Sequence, residues 1–330
     1  MYFCCFSFYL SNNNFLRKLK NIESSISNNN HKKLEFFFLL SNVSKENLKI
    51  FLGVLKKYPL ICKKIIILNG KNNKKFLYNF SISQCHSKYI IFLSGNCYLL
   101  KDFYKNTDYL EKNTFDIVEL SHNFSMNDKI YFRKKDYVAN LTFGNNFFLN
   151  EKIFDHISFF LFSKMFSVNF LKKFNLKFYY LKGSGVFYIV KTFRFAKNLF
   201  HWNKTKVCYE IHPTKYEYIE KRILIWHNII QYINFLSFYQ KVKTNLLCLF
   251  LLDMSFIYFL FLENKITYNE NEKENLFLEI QKIIKNFFKE EHVYLQNHYF
   301  TDFFNVIYNN NLEKQIEILK KNNFSYFLND

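Results

Sequence analysis

Arginine is nearly missing from a strongly basic chain. Only four of the 46 basic residues are arginine (Arg17, Arg133, Arg194 and Arg222), although the formal net charge is +19. The planar guanidinium is what bidentate phosphate and base recognition use, so a lysine-dominated surface reads as a solvated one. Nucleic acid is therefore not an expected partner. Proline (2) and glycine (6) are also scarce in the 330 residues. Lys, Asn, Ile, Phe and Tyr, which all have A/T-rich codons, are abundant instead. Part of the basic charge and of the 21% aromatic content is attributable to that bias.

Other absences narrow the class further. The seven cysteines (Cys4, Cys5, Cys62, Cys85, Cys97, Cys208 and Cys248) form no CxxC pair and no zinc spacing. Their odd number and apolar settings predict reduced, buried thiols and a cytoplasmic protein. Met1 to Leu10 is apolar but lacks a basic n-region and a small-residue cleavage site, which predicts a buried first strand rather than a signal peptide. The most apolar stretch, Leu246 to Leu262, is interrupted by Asp253 and is short for a membrane span, so a buried or interfacial helix is expected. That helix and the lysine-rich surface leave a peripheral place on an anionic membrane, at its inner face, as an alternative. Neither a long heptad pattern nor an internal repeat is present.

What is present is enough apolar residue, 49% against 22% charged, for one large domain with an accessory part. In the first hundred residues short apolar runs (Phe3–Leu10, Leu34–Leu40, Ile65–Leu68, Tyr89–Leu93) alternate with helical spacings such as Phe15, Leu19, Ile22 and Ile26. Buried strands separated by amphipathic helices predict βαβ units in a parallel sheet covered on both faces. Strands are expected at Asp116–Leu120 and Lys129–Arg133, helices at Ile153–Phe170 and Phe187–Phe200, and an extended piece at Leu176–Leu181. Ile219, Ile223, Trp226, Ile230 and Ile233 then step along one face of a long helix. Further helices are expected around 276–288, 302–308 and 312–320. The expected domains are 1–213, an α/β domain, and 214–330, a helical accessory region.

Ligands of an open α/β sheet sit at the carboxyl ends of its strands. After the fourth run the chain reads Tyr89-Ile90-Ile91-Phe92-Leu93-Ser94-Gly95-Asn96-Cys97. Here it resembles the family-2 glycosyltransferases of the GT-A fold, whose strand reads like YIxFLDxDDxL. Leu77 to Ser87 is similar to the family's ARNxGIxxAxG helix and keeps Asn79. Glu35 to Ser44 looks like its second strand, with Ser41 near the nucleotide-binding Asp. Ser163-Lys164-Met165-Phe166 resembles the NKLF segment near the acceptor site. Gly183-Ser184-Gly185 stands where the family has GED, whose last acid is the general base, and Tyr209 to His212 resembles the closing tyrosine strand. The resemblance spans about two thirds of the chain and implies a GT-A-like (Rossmann-like) mostly parallel sheet flanked by helices, a nucleotide-sugar donor and a glycan or lipid-linked acceptor. It places nucleotide-sugar contacts, in degenerate form, at Ser41, Asn79, Ser94, Asn96 and Lys164, while Ser184 and Gly185 occupy the positions of the Glu-Asp pair, so no catalytic residue is expected there.

The acids that make this chemistry work are missing. No Asp or Glu lies between Glu46 and Asp102, nor between Asp155 and Glu210, and each window holds ten Lys or Arg residues. A divalent metal on a diphosphate needs carboxylate oxygens, and a serine is no base at neutral pH. No cofactor and no divalent metal are therefore expected at the nucleotide site. Two functions follow as expectations: a binding or partner module without metal-dependent transfer, or a metal-independent transferase. The latter would neutralise the leaving diphosphate with Lys88, Lys182 or Lys164 and use His86, His201 or His212 as base. Asp155 and Glu210 flank the windows, and their spacing singles out neither.

Overall fold

The computed structural model describes residues 2–288 apart from 30, 60, 71–72, 106, 127–128, 133–140, 145–156, 179–183, 213, 235–238 and 263–265. Its first half follows the apolar runs. β1 (Cys4–Ser11), α1 (Phe15–Asn28), β2 (Leu34–Ser41), α2 (Lys45–Lys56), β3 (Cys62–Leu68), α3 (Asn73–Gln84) and β4 (Tyr89–Ser94) alternate along the chain. All eight residues of β2 are buried, as a central parallel strand covered on both faces requires. α1 turns Phe15, Leu19, Ile22 and Ile26 inward at helical spacing. α2 starts where the Ser44 hydroxyl accepts from the Asn47 amide at 3.2 Å, with Glu46 in its first turn and Lys56 in its last.

Next come β5 (Cys97–Leu99), α4 (Asp108–Lys112), β6 (Ile117–Met126), β7 (Lys129–Phe132), β8 (Leu141–Phe143), β9 (Lys164–Ser167), α5 (Val168–Lys173), α6 (Ser184–Phe195) and β10 (Leu199–Glu210). The sheet runs β3-β2-β1-β4-β9-β6-β10-β5, with β7 beside β6 and β8 beside β10. The expected parallel sheet is its β3-β2-β1-β4 half. β9 enters antiparallel to both β4 and β6 and makes the rest mixed. This corrects the helix expected over 153–170. Lys164 to Ser167 is a strand, and helix begins only at Val168. A fully buried four-residue run carries no periodicity that separates strand from helix. The helix expected to Phe200 ends at Phe195, and β10 takes Leu199 and Phe200.

The chain continues through β11 (Thr214–Lys215), α7 (Tyr216–Asn234), α8 (Tyr239–Leu262), β12 (Ile266–Thr267), α9 (Glu270–Ile283) and a π-helical turn (Ile284–Phe288). α7 buries Ile219, Ile223, Trp226 and Ile230 along its expected stripe. α8 carries the apolar run, and Asp253 within it is buried with partners. Arg222 of α7 donates Nε to both carboxylate oxygens at 2.7 Å, and Trp226 donates Nε1 to Oδ2 at 2.7 Å. A charge in an apolar helix is thus a cross-brace between two helices. Phe256 of α8 packs on Phe124 of β6 and on Phe160, with ring centroids 5.3 and 4.9 Å apart, so helices and sheet share one core. Among the described residues no helix is long and apolar enough to cross a membrane. The helices expected over 302–308 and 312–320 lie outside the described residues.

Candidate functional site

The strand order reverses direction between β1 and β4, since β2 and β3 lie to one side of β1 and the later strands lie beyond β4. In an open α/β sheet that switch point, at the carboxyl ends of the strands, is where a ligand crevice opens. Tyr9 of β1 is in register with Ser94 of β4, and Ser11 of β1 with Ser41 of β2. Ser41 and Ser94 therefore end the two strands that flank β1, on one rim. The Ser94 hydroxyl lies 3.4 Å from the Cys97 sulfur, across the Gly95-Asn96 turn that joins β4 to β5.

Two lysines that the family resemblance did not single out flank this turn. Lys18 of α1 is half-buried; its ammonium donates to the Ser11 hydroxyl at 3.2 Å and its stem runs under Gly95. Lys74, in the first turn of α3, holds its ammonium over the rings of Tyr9 and Tyr78, at 5.3 and 5.6 Å. It is exposed to solvent. Burial lowers the pKa of Lys18. Burial also lowers that of Lys74, helped by the charge of Lys18 and opposed by Cys97. Both helices start at the ligand end of the sheet, so the strand-end rule, applied also to the first turn of the following helix, would have found these lysines.

Glu210 closes the acid-free windows in space. Its backbone N–H donates to the Asn96 carbonyl at 2.8 Å. The Asn21 amide donates at once to the Gly95 carbonyl at 3.1 Å and to Glu210 Oε2 at 3.0 Å. The carboxylate is engaged by Arg17, whose Nε lies 3.0 Å from Oε1, and by His212, 3.4 Å from Oε2. Burial works against the charge on Glu210, but the hydrogen bonds from Arg17 and Asn21 outweigh it and lower its pKa. Burial, then the Arg17 charge, lower the pKa of His212 against the pull of Glu210.

The other expected site residues lie elsewhere. Asn79 spends its amide on the backbone of Phe178, donating to the carbonyl at 3.0 Å and accepting from the N–H at 2.7 Å. Lys164 is completely buried, 2.8 Å from Glu119 Oε2 and 3.1 Å from the Phe160 carbonyl. Ser184 is the first residue of α6, with its side chain outside the described residues, and Gly185 faces Leu161. Lys88 and His86 precede β4, at the opposite end of the sheet. The Lys88 ammonium donates to the carbonyls of Leu110, Glu111 and Asn113, each at 2.8 Å, and caps α4. This removes Lys88 from the crevice. His201 is buried within β10, and Lys182 and Asp155 lie outside the described residues.

The donors at the turn do not suit a divalent metal. Ser94 and Asn96 offer neutral oxygens, the Glu210 carboxylate is taken by a guanidinium and an amide, and two ammonium groups stand beside it. What the arrangement suits is an anion.

Compared by sequence, the chain matches no protein-family model and no characterised protein. Compared by structure, it is similar to S. aureus TarS 1–349, with a TM-score of 0.65 at 14% identity over 96% of this chain and 92% of that one. The fold is GT-A-like. The same TarS fragment in complex with UDP-GlcNAc superposes with a TM-score of 0.61 at 14% identity, covering 96% of this chain and 93% of that one. Against the longer TarS structure the TM-score is 0.63 at 13% identity, over 94% of this chain and 55% of that one. At such identity the likeness establishes the glycosyltransferase-like architecture, an α/β sheet flanked by helices and continued by a helical extension.

Proposed function

We propose that this GT-A-like protein binds a nucleotide sugar by its diphosphate at the β1/β4 crevice, with lysines in the place of a metal, and serves as a binding or partner module. The observation that carries the reading is the pair Lys18 and Lys74 around the Gly95-Asn96 turn. Two ammonium groups in a partly desolvated cleft act as point charges that need no bridging cation. The ligand class is supported by the TarS structures, which hold UDP and UDP-GlcNAc. Metal-dependent transfer is disfavoured because Glu210, the carboxylate at the turn among the described residues, is neutralised by Arg17.

A second reading, a metal-independent transferase acting on a glycan or lipid-linked acceptor, has one observation in its favour. His212 lies 3.4 Å from Glu210 beside the Gly95-Asn96 turn, and burial favours its uncharged imidazole, the form that takes a proton from a hydroxyl. Peripheral attachment to an anionic membrane fits either reading.

Calorimetry with UDP-sugars in the presence of EDTA tests the proposal. Binding indifferent to added manganese and lost in Lys18→Ala and Lys74→Ala is the expected result. Absence of binding, or binding that requires manganese, overturns it. UDP release with an acceptor, abolished by His212→Ala, decides for the second reading.

A further inference from the structure

At the other end of the sheet, β1, β2 and the end of α3 bring together a group of side chains unrelated to the crevice. Cys5 of β1 is in register with Glu35 of β2, and Cys85 follows the last residue of α3. Their ligand atoms, two sulfurs and a carboxylate oxygen, all lie within 4.8 Å of one another, and all three residues are buried. The Cys85 sulfur is 3.9 Å from Glu35 Oε2. Glu35 is a charged residue type inside an otherwise apolar central strand, which is costly unless something in the interior uses it.

We propose that Cys5, Glu35 and Cys85 form a structural site for a thiophilic divalent cation of the zinc class. In a tetrahedral zinc site the sulfurs stand about 3.8 Å apart and sulfur and oxygen about 3.5 Å apart. The observed separations, 3.9 Å for Cys85 sulfur to Glu35 Oε2 and within 4.8 Å for every pair, are close to these values. Two thiolates and a carboxylate carry three negative charges against two on the cation. The remaining charge is met by Lys64, whose ammonium is 3.7 Å from Glu35 Oε1 and also caps α3 at the Gln84 carbonyl, 3.0 Å away. The Ser87 hydroxyl donates to Glu35 Oε2 at 2.9 Å and orients the carboxylate as an outer partner. Binding displaces the two thiol protons to solvent and leaves the oxidation state of both sulfurs unchanged. Because all three ligand residues are buried, the metal enters as the chain folds and ties α3 to the first two strands.

The test uses the full chain, purified without chelator and also refolded under reducing conditions with zinc or cobalt. One equivalent of zinc per chain by elemental analysis, and thiolate-to-cobalt charge-transfer absorption in the cobalt form, are expected. Cys85→Ser should abolish both, and Glu35→Gln should weaken zinc binding by about 10- to 100-fold. Cys97→Ser, at a buried cysteine outside the cluster, should change neither. Three results overturn the proposal: folded wild-type protein that takes up no zinc under either protocol, a Cys85→Ser protein with undiminished metal, or a Cys5–Cys85 disulfide in metal-free native protein by mass analysis. The cobalt band of the wild type is independent of whether any variant folds.

Discussion

The side chain of Lys18 occupies the space that any side chain at Gly95 would need. A Cβ built on Gly95 falls 2.6 Å from both Cβ and Cγ of Lys18 and 2.7 Å from its Cδ. These are the root atoms of the lysine, so it cannot yield by bending its tip alone. Gly95→Ala is therefore expected to push the Lys18 ammonium off the Ser11 rim while leaving the sheet intact. UDP-sugar affinity by calorimetry should fall about tenfold or more, the worth of one hydrogen bond to a charged group. Unchanged affinity would dissociate Lys18 from the site.

The lowered pKa values of Lys18 and Lys74 set a pH dependence. Each is lowered in the folded protein, so each loses its proton at a pH below the ordinary 10.5 of lysine. The charged forms attract the diphosphate, and affinity should begin to fall on the alkaline side before an ordinary lysine titrates. The stability sign is opposite. Folding disfavours these protons, so the associated cost is present at neutral pH and is relieved as pH rises from the folded pKa towards 10.5. Titration calorimetry across that range, with Lys74→Ala as control, separates the two.

Removing the Asp253 carboxylate leaves the Arg222 guanidinium and the Trp226 N–H facing an apolar helix. Asp253→Ala should cost about 3–5 kcal/mol in chemical denaturation, the range for breaking a buried pair. Replacing both members with apolar residues, Asp253→Leu with Arg222→Met, should cost much less. Equal losses in the single and double variants would show that packing, not charge, governs the brace.

Glu210 gives an acid-side signature. Its folded pKa is lowered, so its contribution is present above the unfolded value near 4.5 and is lost as pH falls through the folded value. Arg17→Ala removes the leading favourable partner and should move that loss to higher pH, read from thermal unfolding between about pH 3 and 6. A profile unchanged by Arg17→Ala would mean that the pair contributes nothing.

Asn79 holds Phe178 through two backbone hydrogen bonds. Asn79→Ala should destabilise the protein by about 1–3 kcal/mol, since both backbone groups lose partners. If denaturant midpoints stay put while UDP-sugar binding is lost, the residue acts on ligand directly.

The sheet's parallel half was legible because its strands announce themselves. Eight consecutive buried residues in β2 and the helical spacing of Phe15, Leu19, Ile22 and Ile26 leave few alternatives. The end of β4 at Ser94 was legible for the same reason, since a buried apolar run stops there. β9 was not legible, because four residues of mixed polarity, all buried between two strands, carry no period of their own. Lys18 and Lys74 do not stand out by residue type, because lysine is everywhere in this chain. Their place just after strand ends, and their distances from Ser11, Tyr9 and Gly95, set them apart from the solvated majority.

By itself the sequence determined the α/β class and the absence of acids from two long windows, because apolar period and residue type are local properties. Tertiary structure alone decided which charges meet. It brought Glu210 to Asn96 across 114 positions, set Asp253 on Arg222, sent Lys164 into the core with Glu119, and gathered Cys5, Glu35 and Cys85 at the far end of the sheet. Electrostatics and coordination depend on separations of a few ångströms, and in this fold those are set by strand order rather than by spacing along the chain.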